Sequence, residues 1–265
     1  MTVGAVSETS IHPAALVHPD AELDVGVQVG PFSIIGPKVR IGGGTVIASH
    51  AVIEGDTTIG KNNRVFQFAT LGSDPQDLKY RGEDSRLIVG DGNIFRECCT
   101  VHKGTDGGIG ETRLGGGILV MAYAHIAHDC VIGDGVIMAN AATLAGHIDI
   151  EDGAIIGGLA AVHQFCRVGT LAMVAGGSIV VKDVAPYCTV QGNRAGMKGL
   201  NLIGLQRRGF SEDAIAALKS AHRIIFRSGS LFSDSIEKVK MDVAGTREVQ
   251  HLLDFLGGSE RGFVR

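Results

Sequence analysis

Aliphatic residues recur at every sixth position over most of the chain. Counting in sixes from Ile11 meets one at each step as far as Leu71, and a second run does the same from Leu114 to Val180. Between the two runs, the phase of the first is kept by Val89, Phe95 and Val101. A period of six fits neither the turn of an α-helix nor the heptad of a coiled coil. The pattern predicts a parallel β-helix built from hexapeptides, each a short strand followed by a corner.

Other positions of the hexad agree with a narrow interior. The residue after the aliphatic is often glycine, as at Gly30 and Gly42, and the residue four after it is usually small, as at Ala51 and Ala124. We expect the aliphatic side chain to point inward and the glycine to serve the turn. A narrow interior also explains why the chain holds 39 glycines, only 5% aromatic residues and no tryptophan.

Two polar segments interrupt the repeat. Residues 72–88 occupy nearly one coil of three hexads and then return in phase, and residues 104–113 are rich in glycine. Long loops in a compact solenoid usually carry function. We therefore predict two loop excursions from the β-helix, near 72–88 and near 104–113.

After about Tyr187 the hexads stop and a helical spacing begins. The stretch "SEDAIAALKSAHRIIFRSG" starts with Ser211 as its N-cap, and "SDSIEKVKMDVA" and "TREVQHLLDFLGG" have the pattern of two further helices. The predicted fold is therefore mainly β. A β-helix covers residues 1–188, and an α-helical C-terminal domain covers residues 189–265.

Composition and charge exclude several classes of protein. A net charge of −4 and a pI of about 6.2 do not suit binding to nucleic-acid phosphates, so we expect no nucleic-acid partner. No apolar stretch reaches the length of a spanning helix, and the N-terminal "MTVGAVSETSIHP" lacks the basic region and apolar core of a signal peptide. We predict no integral membrane segment. Five cysteines without a secretion signal indicate reduced thiols in a cytoplasm.

Three of these cysteines fall on the small interior position of their hexads, namely Cys99, Cys130 and Cys166. Cys130 and Cys166 are two coils apart, roughly 9–10 Å by strand spacing, which is too far for a disulfide. An interior position also argues against a thiolate nucleophile. We therefore interpret all three as packing residues.

Three hexads, 18 residues in all, make one coil. Residues 18 apart in the sequence therefore stack in neighbouring rungs. This arithmetic brings distant residues to one edge, in the ladders His128–Gly146–Gln164, Asp129–His147–Phe165 and Ala127–Ala145–His163. His125 ends the preceding hexad, and His102 lies one coil below once the shifted loop is allowed for. Such a strip of histidines indicates a functional site. We interpret the remaining histidines as incidental: His12, His18, His50, His222 and His251.

His128 followed by Asp129 suits a general base with an orienting carboxylate. Neighbouring residues on a strand point apart, so their contact requires the bend of a corner, and His147, stacked on Asp129, is the alternative partner. Gly146, one rung from His128, leaves a backbone N–H open to an oxyanion. The strip holds no serine or thiol nucleophile. We predict direct acyl transfer from an activated thioester to a hydroxyl or amine, without a covalent enzyme intermediate and without a cofactor.

Neutral imidazoles are also good metal ligands, and three solenoid histidines bind zinc in the γ-class carbonic anhydrases, which share this architecture. Here the ladders alternate histidine with glycine and glutamine, and His-x-x-His is not the spacing of that family. We predict no metal, and a metal-dependent enzyme of that kind stays an alternative. A non-enzymatic scaffold is another, because solenoids bind partners.

The motifs "QDLKYRGE", "HIAHDC", "TLAGH", "AVHQFC", "VQGN" and "GLQRRGFS" occur in this order along the chain. In order and spacing they resemble the UDP-N-acetylglucosamine O-acyltransferases, and the resemblance covers all but the N-terminal segment. It implies a left-handed β-helix, a cytoplasmic homotrimer and a site in the cleft between neighbouring subunits. It also implies transfer of a 3-hydroxyacyl chain from acyl carrier protein to the glucosamine 3-hydroxyl of UDP-N-acetylglucosamine, the first step of lipid A biosynthesis.

The resemblance also assigns roles to individual residues. The catalytic ones are His128 as base, Asp129 as its partner and Gly146 as oxyanion donor. The substrate-binding ones line the site or contact the sugar nucleotide and the acyl chain: Asp77, Lys79, His102, His125, His147, His163, Gln164, Gly176, Asn201, Arg207 and Arg208. Among them the arginine pair suits bidentate binding of the diphosphate, and Gly176 falls in the region that limits acyl length.

Two positions depart from the family pattern. Ile203 stands where some members carry a glutamate that touches the nucleotide, and Gln206 replaces a common basic residue beside the arginine pair. An N-acyltransferase acting later in the pathway is an alternative of the same chemistry. That enzyme usually carries an additional N-terminal domain, whereas the hexads here begin at residue 11.

Overall fold

Short strands wind the chain into coils around one core. In residues 8–243 and 245–265, which are those that this computed structural model describes, 28 strands form three sheets and four helices follow them. Residues 1–7 begin the segment predicted not to be a signal peptide, and Ala244 ends the predicted helix "SDSIEKVKMDVA", the first of the two further helices. Both lie outside the described residues.

Each sheet takes one strand from successive coils, and the eleven-stranded sheet ends with an extra strand, β28, which pairs antiparallel with β27. The eleven-stranded sheet contains β1 (Ser10–Ile11), β4 (Gln28–Val29), β7 (Val46–Ile47), β10 (Arg64–Val65), β13 (Ile94–Phe95), β16 (Leu119–Val120), β19 (Ile137–Met138), β22 (Ile155–Ile156), β25 (Met173–Val174), β27 (Cys188–Gln191) and β28 (Gly196–Leu200). The nine-stranded sheet contains β2 (Leu16–Val17), β5 (Ile34–Ile35), β8 (Val52–Ile53), β11 (Thr70–Ser73), β14 (Thr100–His102), β17 (His125–Ile126), β20 (Thr143–Leu144), β23 (Ala161–Val162) and β26 (Ile179–Val180). The eight-stranded sheet contains β3 (Glu22–Leu23), β6 (Val39–Ile41), β9 (Asp56–Ile59), β12 (Arg86–Val89), β15 (Glu111–Leu114), β18 (Val131–Ile132), β21 (Asp149–Ile150) and β24 (Arg167–Val168).

Successive coils pair in the register that the period of 18 predicts. Thr143 pairs in parallel with His125 in the coil below and with Ala161 in the coil above. Val101 pairs with Ile126, so the second loop adds residues to one coil without changing the pairing. Ile126 and the other hexad aliphatics of the middle coils are buried, which confirms that this position faces the interior.

The expectation that the glycine after each aliphatic serves the turn is wrong. Gly30 and Gly42 do not have positive φ. A Cβ at Gly42 would lie 2.7 Å from the carbonyl carbon of Gly60 in the next coil, so glycine is needed because the backbones of neighbouring rungs approach closely. The left-handed residue of the turn comes two positions later and is often not glycine, as at Phe32, whose φ is 61°.

Four helices form the C-terminal part: α1 (Leu202–Arg207), α2 (Glu212–Arg227), α3 (Phe232–Asp242) and α4 (Arg247–Gly257). Ser211 caps α2 as predicted, since its hydroxyl accepts a hydrogen bond from the Ala214 N–H at 3.2 Å. The short helix α1 was not predicted. The predicted domain boundary between residues 188 and 189 falls inside β27, which still pairs in parallel with β25. We propose that the boundary lies after Leu200, where β28 ends.

The cysteines are free, and Cys99, Cys130 and Cys166 are fully buried, as predicted. Burial raises the pKa of the Cys99 and Cys130 thiols to about 12. Neither thiol therefore provides a thiolate nucleophile near neutral pH. Among the helices of the described residues, none combines the length and the apolar character that crossing a membrane requires.

Candidate active site

The histidine strip lies at the corner that follows the nine-stranded sheet. We call this the histidine corner; its turns are residues 127–130, 145–148 and 163–166. The first loop (residues 74–85) follows β11 and the second loop (residues 103–110) follows β14, so both leave the solenoid at this corner. Consecutive rungs of one sheet thus place both predicted loop excursions beside the motif "AHIAHDC".

His128 and Asp129 occupy the two central positions of the turn 127–130. Asp129 has a φ of 58°, the left-handed conformation that many turns of this solenoid use at the same position. The turn brings the two side chains together: His128 Nδ1 lies 2.8 Å from Asp129 Oδ2, whereas His147 Nδ1 is 3.9 Å from that oxygen. His128 is therefore the hydrogen-bonded partner. Because an ionised carboxylate only accepts, the proton sits on Nδ1 of His128 and Nε2 is left free to act as a base.

The second loop wraps the Asp129 carboxylate. Oδ1 accepts the backbone N–H groups of Thr105 and Ile109, each at 3.1 Å, and Oδ2 accepts the Thr105 hydroxyl at 2.6 Å in addition to His128. Burial alone would raise the pKa of Asp129, but the hydrogen bonds from His128 and Thr105 outweigh it and lower the pKa. Gly108 permits this approach, since a Cβ there would lie 2.2 Å from the carboxyl carbon. Asp129 is thus held ionised although it is buried.

The same groups also meet the spacing of a metal site. One ligand atom each of His128, Asp129 and His147 lies within 4.8 Å of the others. A carboxylate offers about four acceptor positions, and four hydrogen bonds from Thr105, Ile109 and His128 already use those of Asp129. A metal ion would have to displace one of these donors. The donor set therefore favours a base with its carboxylate, and a metal-free site stays a prediction.

The His128 imidazole lies directly over Gly146. A Cβ at position 146 would be 2.6 Å from Cε1 and 2.7 Å from Nε2 of His128, so a larger residue would displace the ring. Among the described residues the Gly146 N–H donates no hydrogen bond. The turn does not need it, because four of the chain's prolines, which have no N–H, occupy this hexad position in other coils: Pro13, Pro19, Pro31 and Pro37. An unpaired N–H beside a base is what a developing oxyanion requires.

Two histidines lie deeper in the corner. His102 is 4% exposed and packs edge-on against His125, with ring centroids 4.8 Å apart. Burial, with smaller contributions from His125 and His128, lowers the pKa of His102 to about 4. Burial also lowers the pKa of His125, whose Nδ1 hydrogen-bonds the Thr100 hydroxyl at 2.7 Å. The Nδ1 of His102 has no partner among the described residues, and a buried polar atom of this kind suits a bound substrate.

The outer part of the corner is lined by His147, His163 and Gln164. His147 stacks on Phe165 with centroids 4.5 Å apart and meets His128 edge-on at 5.0 Å. Burial lowers the pKa of His147. His163 and Gln164 are exposed, and His163 Nδ1 lies 3.2 Å from the Gln164 carbonyl oxygen. All of these residues lie within two rungs of His128, as the 18-residue stacking predicts.

The first loop brings Asp77 and Lys79 to the same corner. Asp77 Oδ1 accepts the Lys79 N–H at 2.9 Å. Both residues line a shallow cleft whose opposite wall includes Thr105 of the second loop. The charge of Asp77 also acts on His147, whose pKa it raises slightly against the effect of burial. These two predicted residues are therefore near the base and its carboxylate.

Three predicted substrate-binding residues lie at a different corner: Asn201, Arg207 and Arg208. Asn201 Nδ2 donates to the Leu171 carbonyl at 2.9 Å, in a turn after the eight-stranded sheet. The Arg208 guanidinium lies over Gly153, within 3.2 Å of where a Cβ would be, in the turn one rung below. This corner comes one hexad after the histidine corner, so one chain alone does not bring these residues to His128.

Gly176 lies at the remaining corner, after the eleven-stranded sheet. It is exposed, and a Cβ there would lie 3.2 Å from the Gly158 carbonyl oxygen of the rung below. Within one chain it does not line the histidine corner. Ile203 and Gln206, the two departures from the family pattern, are exposed on α1.

Sequence reasoning missed the residues that support the site. Thr105 and Ile109 hold the Asp129 carboxylate, and Gly108 lets the loop approach it. The only signal was that the three lie in a glycine-rich loop. A second omission is Lys103, whose Nζ lies 2.9 Å from Asp74 Oδ1, with the amine over the Tyr80 ring. That contact ties the first loop to the second, and no motif pointed to it.

Comparisons with known proteins agree on one family. A family model described as "Udp N-acetylglucosamine O-acyltransferase; Domain 2" matches residues 183–264. The chain is 53% identical over 255 residues to the acyl-[acyl-carrier-protein]–UDP-N-acetylglucosamine O-acyltransferase of Myxococcus xanthus, which covers 96% of this chain and 99% of that protein. Among solved structures, LpxA from Acinetobacter baumannii matches with a TM-score of 0.94 at 43% identity, over 96% of this chain and 99% of that one. The UDP-N-acetylglucosamine acyltransferase of Arabidopsis matches with a TM-score of 0.85 at 34% identity, over 96% and 100%. These matches confirm the predicted left-handed β-helix with a C-terminal helical part.

Proposed function

The chain belongs to the UDP-N-acetylglucosamine O-acyltransferase family, as its motifs predicted, and we propose that it moves a 3-hydroxyacyl chain from acyl carrier protein to the 3-hydroxyl of UDP-N-acetylglucosamine. The names of its relatives supply the donor and the acceptor. One observation carries the chemistry: the His128 Nδ1 hydrogen bond to an Asp129 carboxylate that is otherwise saturated. That arrangement leaves Nε2 as the only basic atom of the pair.

In the proposed reaction, His128 Nε2 takes the proton of the sugar hydroxyl as its oxygen attacks the thioester carbonyl. Asp129 stabilises the imidazolium that forms and keeps the ring in place. The carbonyl oxygen becomes an oxyanion, which the Gly146 N–H can stabilise. The C–S bond then breaks, and the proton held on Nε2 passes to the leaving thiolate. A hydroxyl is a weaker nucleophile than an amine. An enzyme that acylates a hydroxyl therefore needs a positioned base.

A complete site is proposed to require a neighbouring subunit in a homotrimer. The separation of the arginine pair from the histidine corner supports this, because one chain holds the two groups on different edges. A ladder of exposed apolar side chains offers the contact surface. It runs along the corner after the eleven-stranded sheet and consists of Phe32, Phe68, Tyr123 and Leu159, which are 56–73% exposed. His50 lies between Phe32 and Phe68 and packs on both rings. Exposed apolar side chains grouped along one corner are typical of an interface, and cyclic assemblies join two different faces of each subunit.

The family membership supports further expectations. Acyl carrier protein is the proposed donor partner, no nucleic acid takes part, and the enzyme is proposed to act in the cytoplasm at the first step of lipid A biosynthesis. The relatives' names favour O-acylation over the N-acyltransferase alternative. The saturated carboxylate disfavours the metal-dependent alternative.

A transfer assay with UDP-N-acetylglucosamine and a series of 3-hydroxyacyl carrier proteins tests the proposal. We expect product with at least one chain length, its loss in His128→Ala, and full activity in the control His18→Ala, whose exposed ring lies on the same edge of the solenoid but five rungs below His128. The oligomeric state of both variants should equal that of the wild type. No product with any donor would refute the proposed reaction. Activity that disappears with a chelator and returns with zinc would favour the metal-dependent alternative.

A further inference from the structure

Helix α4 is hydrogen-bonded to the solenoid through His251, which the sequence had suggested to be incidental. His251 Nε2 lies 3.0 Å from Glu151 Oε2, and Nδ1 lies 2.9 Å from the Tyr187 hydroxyl. Glu151 directly follows β21, and Tyr187 directly precedes β27. One imidazole therefore joins α4 to two coils at the corner after the eight-stranded sheet, which also carries Asn201 and the arginine pair.

The hydrogen bonds continue from Glu151 towards α1. Glu151 Oε2 also accepts the Thr170 N–H at 2.7 Å and the Thr170 hydroxyl at 2.9 Å. The next residue, Leu171, accepts the Asn201 side-chain amide at 2.9 Å, and the Asn201 N–H donates to the Tyr187 carbonyl at 2.7 Å. The contacts of His251 and those of Asn201 therefore hold the same turn from two sides.

Asn201 is also the N-cap of α1. Its Oδ1 accepts the Gly204 N–H at 3.1 Å, and a Cβ at Gly204 would lie 2.3 Å from the Asn201 amide nitrogen, so glycine is needed for this cap. Helix α1 is only six residues long and ends at Arg207, with Arg208 as its C-cap. A helix this short keeps its direction through its cap and its neighbours. The orientation of the arginine pair is thus coupled to the turn that Glu151 and His251 hold.

The His251–Glu151 contact is an ion pair when the imidazole is protonated. Its hydrogen bond to Glu151 raises the pKa of His251 against the effect of burial. Burial would raise the pKa of Glu151, but the hydrogen bonds from His251 and Thr170 outweigh it and lower the pKa. The other charged groups that act on His251 are on α4: Asp254 supports its charge and Arg247 opposes it.

We propose that His251 is a positioning residue for the sugar nucleotide, which holds the turn at Thr170 and Leu171 so that Asn201 and α1 present Arg207 and Arg208 to the diphosphate. The proposal rests on the proposed function, in which the arginine pair binds the nucleotide. Helix α4 carries no residue of the histidine corner, but His251 gives this helix a role in binding the acceptor. The base, its carboxylate and the oxyanion donor lie on the preceding corner and are not part of this network.

Steady-state kinetics of His251→Ala tests it. We expect the KM for UDP-N-acetylglucosamine to rise about three- to tenfold, which corresponds to the net contribution of about one hydrogen bond. The kcat and the KM for the acyl donor should stay within about twofold, because the reacting groups are untouched. The matched control is Gln250→Ala, an exposed neighbour on α4 whose side-chain amide donates to Asp254. It should leave all constants unchanged.

A conservative variant separates positioning from general stability. In His251→Gln the side-chain amide can donate to Glu151 in place of Nε2, and the KM should return to within about twofold of the wild type. If His251→Ala does not fold, Tyr187→Phe removes a single hydroxyl from the same network and should raise the same KM by about two- to fourfold. An unchanged KM for the nucleotide, or a loss confined to kcat and melting temperature, would overturn the proposal.

Arg208→Ala distinguishes failure of this proposal from failure of the proposed function. If Arg208→Ala leaves the nucleotide KM unchanged, the assumed role of the arginine is wrong. If it raises the KM and His251→Ala does not, only the positioning role is wrong. When both raise it, the double variant decides, since His251→Ala should add less than about twofold in the Arg208→Ala background. Effects that multiply would show that His251 does not act through the arginine.

Discussion

Replacing Asp129 with asparagine isolates its control over the tautomer of His128. The change keeps the size of the side chain but turns one acceptor oxygen into an N–H₂ donor. The backbone N–H groups of Thr105 and Ile109 are fixed donors at the Oδ1 position, so the asparagine oxygen must stay there. The new amide then faces the Thr105 hydroxyl, which can rotate to accept, and His128 Nδ1. Nδ1 has to accept as well, and its proton moves to Nε2.

A ring that carries its proton on Nε2 cannot take one from the sugar hydroxyl. Proton transfer by a positioned side chain contributes about 10²–10⁴ in rate, and we expect kcat to fall by that factor. Both KM values should change little, because the hydrogen-bonding groups of the second loop, including its backbone N–H donors, keep hydrogen-bond partners on residue 129. The folding cost should be about 1–3 kcal/mol, the loss of one charge-assisted hydrogen-bond acceptor.

The assay is kcat at saturating concentrations of both substrates, with nitrogen NMR of the His128 ring to report its tautomer. The matched control is Thr105→Val, which removes one hydrogen bond to Oδ2 but keeps the charge and the backbone N–H. It should lower kcat by less than about tenfold. A kcat for Asp129→Asn within about threefold of the wild type would refute the tautomer argument. So would a loss in Thr105→Val as deep as that in Asp129→Asn.

Three further outcomes follow from the structure. Gly146→Ala places a methyl group 2.6 Å from the His128 ring, and kcat should fall about 10²-fold or more as the ring shifts and the oxyanion N–H is obstructed, with melting temperature as the check on folding. Leu159→Glu puts a charge on the exposed apolar ladder, and light scattering should show a trimer that dissociates, whereas an unaffected trimer would argue against that ladder as the interface. The raised pKa of His251 gives a stabilisation that is complete below its ordinary pKa of 6.5 and lost as pH rises through the folded value, and the lowered pKa of Glu151 gives one that is complete above 4.5 and lost on acidification. Urea unfolding at a pH between those values should therefore find the wild type more stable than His251→Gln. The difference in unfolding free energy should be only about 0.5–1 kcal/mol, because the pair is partly exposed. It should shrink at alkaline pH, where His251 loses its proton.

The repeat made most of the fold predictable. Each hexad has the same pattern, an inward aliphatic residue and a small residue at the corner. A wrong prediction for one hexad therefore leaves the predictions for the others unchanged. The 18-residue coil then turns sequence separation into height along the solenoid, which is why the stacking of His147 on Phe165 and of His128 over Gly146 followed from counting. Counting also located the glycines after the aliphatics. It did not show why glycine is required there, because the close approach between rungs is a property of the assembled stack.

What the sequence by itself determined is therefore the part that is periodic: the β-helix, the interior, and the rung on which each histidine lies. Only the tertiary structure decided that Asp129 bonds to His128 rather than to His147, since a left-handed turn residue reverses the usual divergence of neighbouring side chains. It also decided that the second loop closes over the carboxylate. Loops and helix docking have no period, so their contacts depend on the conformation of the whole chain. The link from His251 to Glu151, 100 residues apart, is of this kind.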